Sequence, residues 1–338
     1  LPDMITFNRA GDKILTANEG EPNDAYTEDP EGSVSIIDVS GGAASASVTE
    51  VSFAGFNAQE AALKAQGVRI FGPGASVAQD LEPEYITVLP DDNVAVVVCQ
   101  ENNALVLVDI NSATALLVLP IGYKDHSLEG NGFDASNRND SIDIRTHPVL
   151  GMYQPDAIES VVIDGTTYLV TANEGDARDY EGFSEEARVA DLNLDPTAYP
   201  NAAELQLEEN LGRLNSTTAT GDTDGDGDID QIYSYGARSF SIWDAATGAL
   251  VYDSGDMIER ITADLLPDDF NSTNDENDSF KNRSDDKGPE PEAIEIVELD
   301  GSVFALVGLE RVGGVMVFDI TDPTAPLYSS YVNNRDFS

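Results

Sequence analysis

Cysteine occurs once in 338 residues, and Lys and Arg together number 17. No run of about 18 apolar residues appears, which is what a membrane-crossing helix requires. Each shortage excludes something. The single Cys99 cannot form an intrachain disulfide framework, so it leaves the redox compartment open. Its place in the apolar run Val94–Gln100 reads as a buried, inert thiol. Two histidines, His126 and His147, are too few for a zinc site and read as structural or surface residues. The patterns G-x-S-x-G, the phosphate-binding P-loop and a G-x-G-x-x-G between strand and helix are missing. Their absence argues against a serine hydrolase, a nucleotide triphosphatase or a dinucleotide enzyme.

Against 17 basic residues stand 63 acidic ones, a net charge of −46. Such a surface repels nucleic acid and anionic membranes and draws cations. Adaptation to salty water and multiple cation binding both account for it, and the charge sum does not choose between them. With 41% hydrophobic residues the chain has enough apolar material for a core.

That material is organised as a repeat. Residues 2–19 (PDMITFNRAGDKILTANE), 83–101 (PEYITVLPDDNVAVVVCQE), 155–174 (PDAIESVVIDGTTYLVTANE) and 291–310 (PEAIEIVELDGSVFALVGLE) share one plan. Each opens with Pro and a carboxylate: Asp3, Glu84, Asp156, Glu292. Each closes on a Glu: Glu19, Glu101, Glu174, Glu310. A third strand follows with a hydrophobic–Asp signature, IIDV, LVDI, IWDA and VFDI, and then a fourth. Repetition of four short alternating strands predicts an all-β fold, a β-propeller of four-stranded antiparallel blades. The blades fall at about 2–56, 83–123, 155–256 and 291–333, with an insertion at 176–237 inside the third. The chain opens at Leu1-Pro2-Asp3, on a repeat boundary, so the expectation is a single propeller domain or part of a larger ring. Short helices are predicted in the long loops, at Ala58–Ala65, Ser184–Leu192, Ala202–Leu211 and Met257–Leu265.

Connections between first and second strands are short, so antiparallel geometry sends the long connections to one face. The opening and closing carboxylates belong to that face. Eight carboxylates converging at one end of the ring predict bound cations, basic partners or raised pKa values. The sharpest local signal is Gly221–Asp230, GDTDGDGDID. Alternate aspartates, Asp222, Asp224 and Asp226, turn oxygens inward around a hard cation, and Asp228 and Asp230 extend the supply. The twelfth position from Asp222 is Tyr233, where an EF-hand places its bidentate Glu, so this is an isolated calcium loop. The loop Glu19–Glu31 is a further oxygen-rich segment. Arg138, Arg145, Arg178, Lys287 and Arg311 fall in the long-loop segments. They neutralise the acidic rim or clamp an anion beside metal ions.

The motifs TANEGEPNDAYTEDPEGSVSIID, MYQPDAIESVVIDGTTYLVTANEGDARDY, DTDGDGDIDQIYSYGARSFSIWD and SDDKGPEPEAIEIVELDGSVFALVGLERVGGVMVFDI resemble the choice-of-anchor I family. This group is similar to mesenchyme-specific cell-surface glycoproteins associated with biomineral deposition. The resemblance implies an extracellular or surface-anchored β-propeller with further blades. In some members it carries an alkaline-phosphatase-like label. The leading expectation is an extracellular calcium-binding surface protein, with Ca2+ as its ion and a mineral or matrix surface as its partner. One alternative is a calcium-dependent phosphoesterase acting on a phosphorylated small molecule, with Glu174, Arg178, Arg145 and Arg311 as its candidate residues. The other is a purely structural adhesion or matrix protein.

Overall fold

A computed structural model describes residues 2–337. Its frame is four antiparallel four-stranded sheets, the blades of a β-propeller. The first blade is β1 (Pro2–Phe7), β2 (Lys13–Asn18), β3 (Ser33–Asp38) and β4 (Ser47–Ser52). The second is β5 (Tyr85–Val88), β6 (Val94–Cys99), β7 (Ala104–Asp109) and β8 (Thr114–Pro120). Two short strands, β9 (Tyr123–Asp125) and β10 (Leu150–Met152), precede the third blade. That blade opens with β11 (Ala157–Ile163) and β12 (Thr166–Asn173). It resumes with β18 (Ser239–Asp244) and β19 (Leu250–Asp253). Between the halves lie β13 (Asp179–Tyr180), β14 (Phe183–Ser184), β15 (Glu186–Arg188), β16 (Asn215–Thr217) and β17 (Tyr233–Ser234). The fourth blade is β20 (Pro291–Leu299), β21 (Ser302–Leu309), β22 (Val315–Asp319) and β23 (Leu327–Val332).

Local chemistry explains the hairpins. Asp164-Gly165 and Asp300-Gly301 both sit at positive φ, 50° and 80° in the first pair and 52° and 88° in the second. Two consecutive left-handed residues make the tight turn whose twist matches the flanking strands. The hydrophobic–Asp signature ends each third strand in a side-chain-capped turn. Asp38, Asp109, Asp244 and Asp319 accept backbone N–H bonds from Ser40 (2.9 Å), Ser112 (2.7 Å), Thr247 (2.8 Å) and Thr321 (2.9 Å). These bonds satisfy turn donors, and with the hydroxyls of Ser40, Thr247 and Thr321, which act most strongly on Asp38, Asp244 and Asp319, they hold each of the four carboxylates below its usual range.

The inner strands touch in chain order: β1 with β5, β5 with β11, β11 with β20. Three apolar layers fill the gaps. The first, between blades one and two, holds Leu15, Ala17, Ile86 and Val97. The second holds Val96, Val98, Ile158 and Trp243, and the third Val170, Ile242, Ile294 and Val307. Strand β6 therefore serves two layers, which is why VAVVVC is continuously apolar.

Two helix expectations change. Ser184–Leu192 forms part of β14, β15 and a 3-10 turn at Val189–Asp191. Sheet pairing of β15 with β16 wins there, because it buries Glu185 against Arg69 and Thr217. Ala202–Leu211 is helical only as α3 (Ala202–Leu205), following α1 (Glu60–Gln66) and α2 (Val77–Asp80). Helix α4 (Met257–Leu265) matches its expected span, and α1 largely covers Ala58–Ala65. The insertion is packed rather than loose. Leu192, Leu211 and Ile232 share an apolar core with Phe133 and Val149 of the segment that precedes the third blade.

Candidate functional site

The repeated T-A-N-E ending positions the rim. Asn18 donates from Nδ2 to Ser33 and Ser35, at 3.2 and 2.9 Å. Asn173 does the same to Ser239 and Ser241, at 3.1 and 2.7 Å. Each bond ties the end of a second strand to its third strand, so the next residue, Glu19 or Glu174, lands at the blade tip. On the neighbouring strand the register pairs Pro2 with Asn18 and Pro291 with Leu309. The opening carboxylates, Asp3 and Glu292, are thereby set beside the closing ones.

The structure brings the eight rim carboxylates into one electrostatically linked collar. Burial first, then Glu101, Glu21 and Asp3, raise Glu19 to about 7. Burial raises Asp3. Glu84 and Glu101 face each other in the interior, and burial pushes both up. Glu84 is further raised by Glu101 and Asp156. Each of the pair keeps one carboxyl oxygen, Oε2, with no hydrogen-bond partner. Asp156 rises to about 8 through burial and then Glu174, Glu292 and Asp3. Glu174 rises to about 7, chiefly by burial and against the pull of Lys287.

Counter-charge is unevenly spread. Lys287 Nζ lies 2.8 Å from Glu174, 3.5 Å from Asp176 and 4.0 Å from Glu290. Arg311 Nε reaches Glu290 at 3.0 Å and Glu310 at 2.9 Å, and Arg283 Nε reaches Glu290 at 2.6 Å. Glu174, Glu290 and Glu310 each offer an oxygen within 4.8 Å of the others. Glu290 was not among the residues expected from sequence; its signal was the Pro289-Glu290-Pro291 run beside a repeat start. Among the described residues, no ion pair reaches Asp3, Glu19, Glu84, Glu101 or Asp156. That part of the collar has carboxylates and no cation in contact.

The arginines do not gather at one point. Arg178 is buried, with Nη1 3.1 Å from Asp80 and Nη2 3.1 Å from Glu82, and it lies over the Phe71 ring. Arg145 pairs with Asp143 at 2.9 Å and donates to Asn210 at 2.8 Å. Arg311 serves Glu290 and Glu310. His126 meets Phe133 edge-on and His147 meets it at a tilt, and burial holds both imidazoles neutral, His147 at about 4.

The acidic loop is divided in two. Asp222, Asp224 and Asp226 bring carboxyl oxygens within 4.8 Å of one another on the exposed surface. Asp222 anchors the turn by accepting from Gly225 N at 2.7 Å and Gly227 N at 3.0 Å. Asp228 and Asp230 turn instead toward Asp195 and form a second cluster with it. A parallel bridge between Leu194 and Ile229 makes this contact, so Asp195, more than thirty residues upstream, was invisible to local spacing. Partial desolvation, Asp226 and Asp195 together hold Asp228 up to about 6. The expected single loop of five aspartates is thus two neighbouring groups of three. Tyr233 is buried in β17 and donates to Gln231, away from both.

A family model described as Choice-of-anchor I domain matches residues 1–323. The mesenchyme-specific cell surface glycoprotein of Strongylocentrotus purpuratus is 28% identical over 327 residues, covering 84% of this chain and 42% of that protein. Gigasin-3a of Magallana gigas is 36% identical over 118 residues, covering 34% of this chain and 41% of that protein. The chain spans about two fifths of the length of these curated relatives. Among solved structures, the Cps50 (Swd1) β-propeller domain of Myceliophteria thermophila aligns over 96% of this chain and 67% of its own at 11% identity, TM-score 0.33. A putative 6-phosphogluconolactonase from Bacteroides fragilis aligns over 98% of this chain and 71% of its own at 12% identity, TM-score 0.34. No helix among the described residues is long and apolar enough to cross a membrane.

Proposed function

The chain belongs to the choice-of-anchor I domain family, and from that premise we propose that it is an extracellular, surface-displayed β-propeller that binds calcium ions. The cell-surface name of its sea-urchin relative supports the location. The observation that carries the calcium reading is the pair of aspartate triads, Asp222/Asp224/Asp226 and Asp195/Asp228/Asp230, set side by side by one loop and its bridge to Leu194. Calcium takes six to eight hard oxygen ligands in flexible geometry, and carboxylates with water supply them. The collar from Asp3 to Glu310 offers further oxygens, and in its uncompensated part, where Glu19 is raised to about 7 and Asp156 to about 8, a cation competes with a proton for the carboxyl oxygens at neutral pH. A mineral or matrix surface rich in calcium is the partner such a face fits. The phosphoesterase alternative would need Arg145, Arg178 or Arg311 to meet an anion beside the rim carboxylates. Each is committed to a different set of partners.

Titration calorimetry with calcium tests this on the wild type and on a double variant, Asp224→Ala with Asp226→Ala. The expected result is a lower stoichiometry in the variant and an unchanged fold by circular dichroism. Equal stoichiometry removes the loop from the account. A calcium effect on melting temperature no larger than that of ionic-strength-matched sodium assigns the acidity to salt adaptation instead.

A further inference from the structure

A cavity between the second blade and the insertion plays no part in the calcium reading. Its volume is about 360 Å³, inside the ~300–1,000 Å³ usual for small-molecule sites. Three parts of the chain wall it: the end of α1 with the segment after it, Tyr123 of β9, and Ala219-Thr220 of the insertion. Gly67, at φ 102°, ends α1 in the left-handed conformation and turns the chain into Val68–Phe71. Val68 and Ile70 are buried in the first apolar layer. Arg69 between them is clamped to Asn102, its N–H to the Asn102 carbonyl at 3.0 Å and its own carbonyl to Asn102 Nδ2 at 2.8 Å. The wall from the insertion is tied to the same arginine. Arg69 pairs with Glu185, its Nη2 donates to Thr217 at 3.2 Å, and Ala219 N donates to Thr217 Oγ1 at 2.9 Å. Fixed contacts therefore frame the cavity before any ligand arrives.

Charge sets this cavity apart. Four other clefts each carry acid in their walls, at Asp134, Asp256, Glu19 and Glu159 respectively. Here the wall holds no Asp or Glu, and its two charged residues are Lys64 and Arg69. That is a local reversal in a chain of 63 acids and 17 bases. Arg69 is 4% exposed. Its Nη1 donates to the Glu101 carbonyl and its Nη2 serves Glu185 and Thr217, while Nε has no hydrogen-bond partner among the described residues. An enclosed N–H without an acceptor costs free energy that a suitable ligand relieves. The guanidinium lies 4.3 Å from the centre of the Phe71 ring. Burial raises the Tyr123 hydroxyl, and the Arg69 charge draws it back, which puts that hydroxyl within reach of the same field. Lys64 stands exposed in the last turn of α1, 2.7 Å from Glu60, and its ammonium has three donors to share.

We propose that this cavity binds a small organic carboxylate, its anionic end between Lys64 and Arg69 and its apolar body against Phe71 and Tyr123. A carboxylate accepts the charge-assisted bonds that a lysine and an arginine offer. A cation would meet two like charges and no acid. A bare inorganic anion would leave the aromatic wall and most of the volume unused. None of these residues belongs to either aspartate triad or is one of the eight rim carboxylates, so the proposal stands apart from calcium binding. The net charge of −46 opposes the entry of any anion, and salt weakens that long-range field.

Titration calorimetry with benzoate on the whole chain tests this at about 0.15 M sodium chloride, where charges beyond about 8 Å are screened. Benzamide has nearly the same shape and no charge. Benzoate should bind, and benzamide should bind about tenfold more weakly, the difference between a charged and a neutral hydrogen-bonding partner. Lys64→Glu puts an acid at the mouth and should weaken benzoate by about tenfold or more while leaving benzamide unchanged. Ala219→Trp fills the cavity from its wall and should abolish both. Lys64 and Ala219 are exposed, so circular dichroism should show both variants folded. Absence of benzoate binding overturns the proposal, and so does benzoate binding that either variant leaves unchanged. Benzamide binding as tightly as benzoate removes the carboxylate from the account. Inorganic phosphate binding as tightly as benzoate reduces the site to a plain anion site and overturns the organic ligand.

Discussion

Replacing Asp156 with Asn should stabilise the protein by an amount that grows with pH. Burial, followed by repulsion from Glu174, Glu292 and Asp3, lifts this carboxyl from 3.8 to about 8. The native chain therefore keeps a proton that the unfolded chain gives up. For a group raised in the folded state, the stability it contributes is fully present below pH ~4 and is lost as pH rises through about 8. Each unit is worth about 1.4 kcal/mol. At pH 5 the unfolded chain has largely ionised, and the wild type trails the variant by about 2 kcal/mol. At pH 9 the native carboxyl must ionise as well, and the deficit reaches about 6 kcal/mol. The gap between variant and wild type should thus widen by about 4 kcal/mol from pH 5 to pH 9. With an unfolding entropy of ~2.1 cal/mol/K per residue, a chain of 338 residues converts that into about 6 °C of melting temperature. His126 and His147 titrate in both proteins and cancel in the difference. Thermal melts at matched ionic strength with chelator present measure it. A gap that stays constant or narrows between pH 5 and pH 9 refutes the collar as a set of mutually repelling buried acids. Repeating the series in calcium separates a bound ion from bare repulsion, because an ion at Asp156 stabilises its ionised form and shrinks the gap at pH 9.

Arg178→Ala leaves Asp80 and Glu82 buried without their cation, and losing one partner of a buried ion pair costs about 3–5 kcal/mol. Chemical denaturation should show a loss of that size, and a loss under about 1 kcal/mol would contradict the pairing. Gly236→Ala tests how the collar is held. Gly236 has φ 67°, and a Cβ there would lie 1.8 Å from Glu174 O and 3.1 Å from Gly175 N. Overpacking against rigid backbone typically costs about 1–3 kcal/mol, and the left-handed backbone adds about 1 more. Unchanged stability would mean that the two glycine-bearing segments do not cross so closely.

The propeller was legible because its signals are local and occur four times. In all four blades the strands alternate every two residues and an Asp at the end of the third strand caps the next turn, and in two of them Asp-Gly closes the first hairpin. None of these needs a distant partner to be read. The same holds for α4 and for the eight rim carboxylates, whose positions are set by strand ends. What escaped reading was decided by contacts across long sequence separations. Ser184–Leu192 has helical spacing in isolation, but Glu185 finds Arg69, 116 residues away, and the segment pairs as a strand. The acidic loop spacing Asp222–Asp230 suggested one ligand set, but a bridge to Leu194 turns its last two aspartates toward Asp195. Arg178 looked available for an anion because the sequence placed it beside Glu174. In the fold it runs inward to Asp80 and Glu82, nearly a hundred residues earlier. The scarcity of basic residues makes this outcome physically reasonable. With 17 cations among 63 carboxylates, a buried acid that can be reached by an arginine or lysine gains more from it than a solvated anion site would. Arg178, Arg69 and Arg238 settle on the buried Asp80, Glu82, Glu185 and Glu259, while the buried pair Glu84 and Glu101 has no cation in contact. The carboxylates they do not reach, Asp3, Glu19, Glu84, Glu101 and Asp156, are therefore the places where an ion from solution has the most to stabilise.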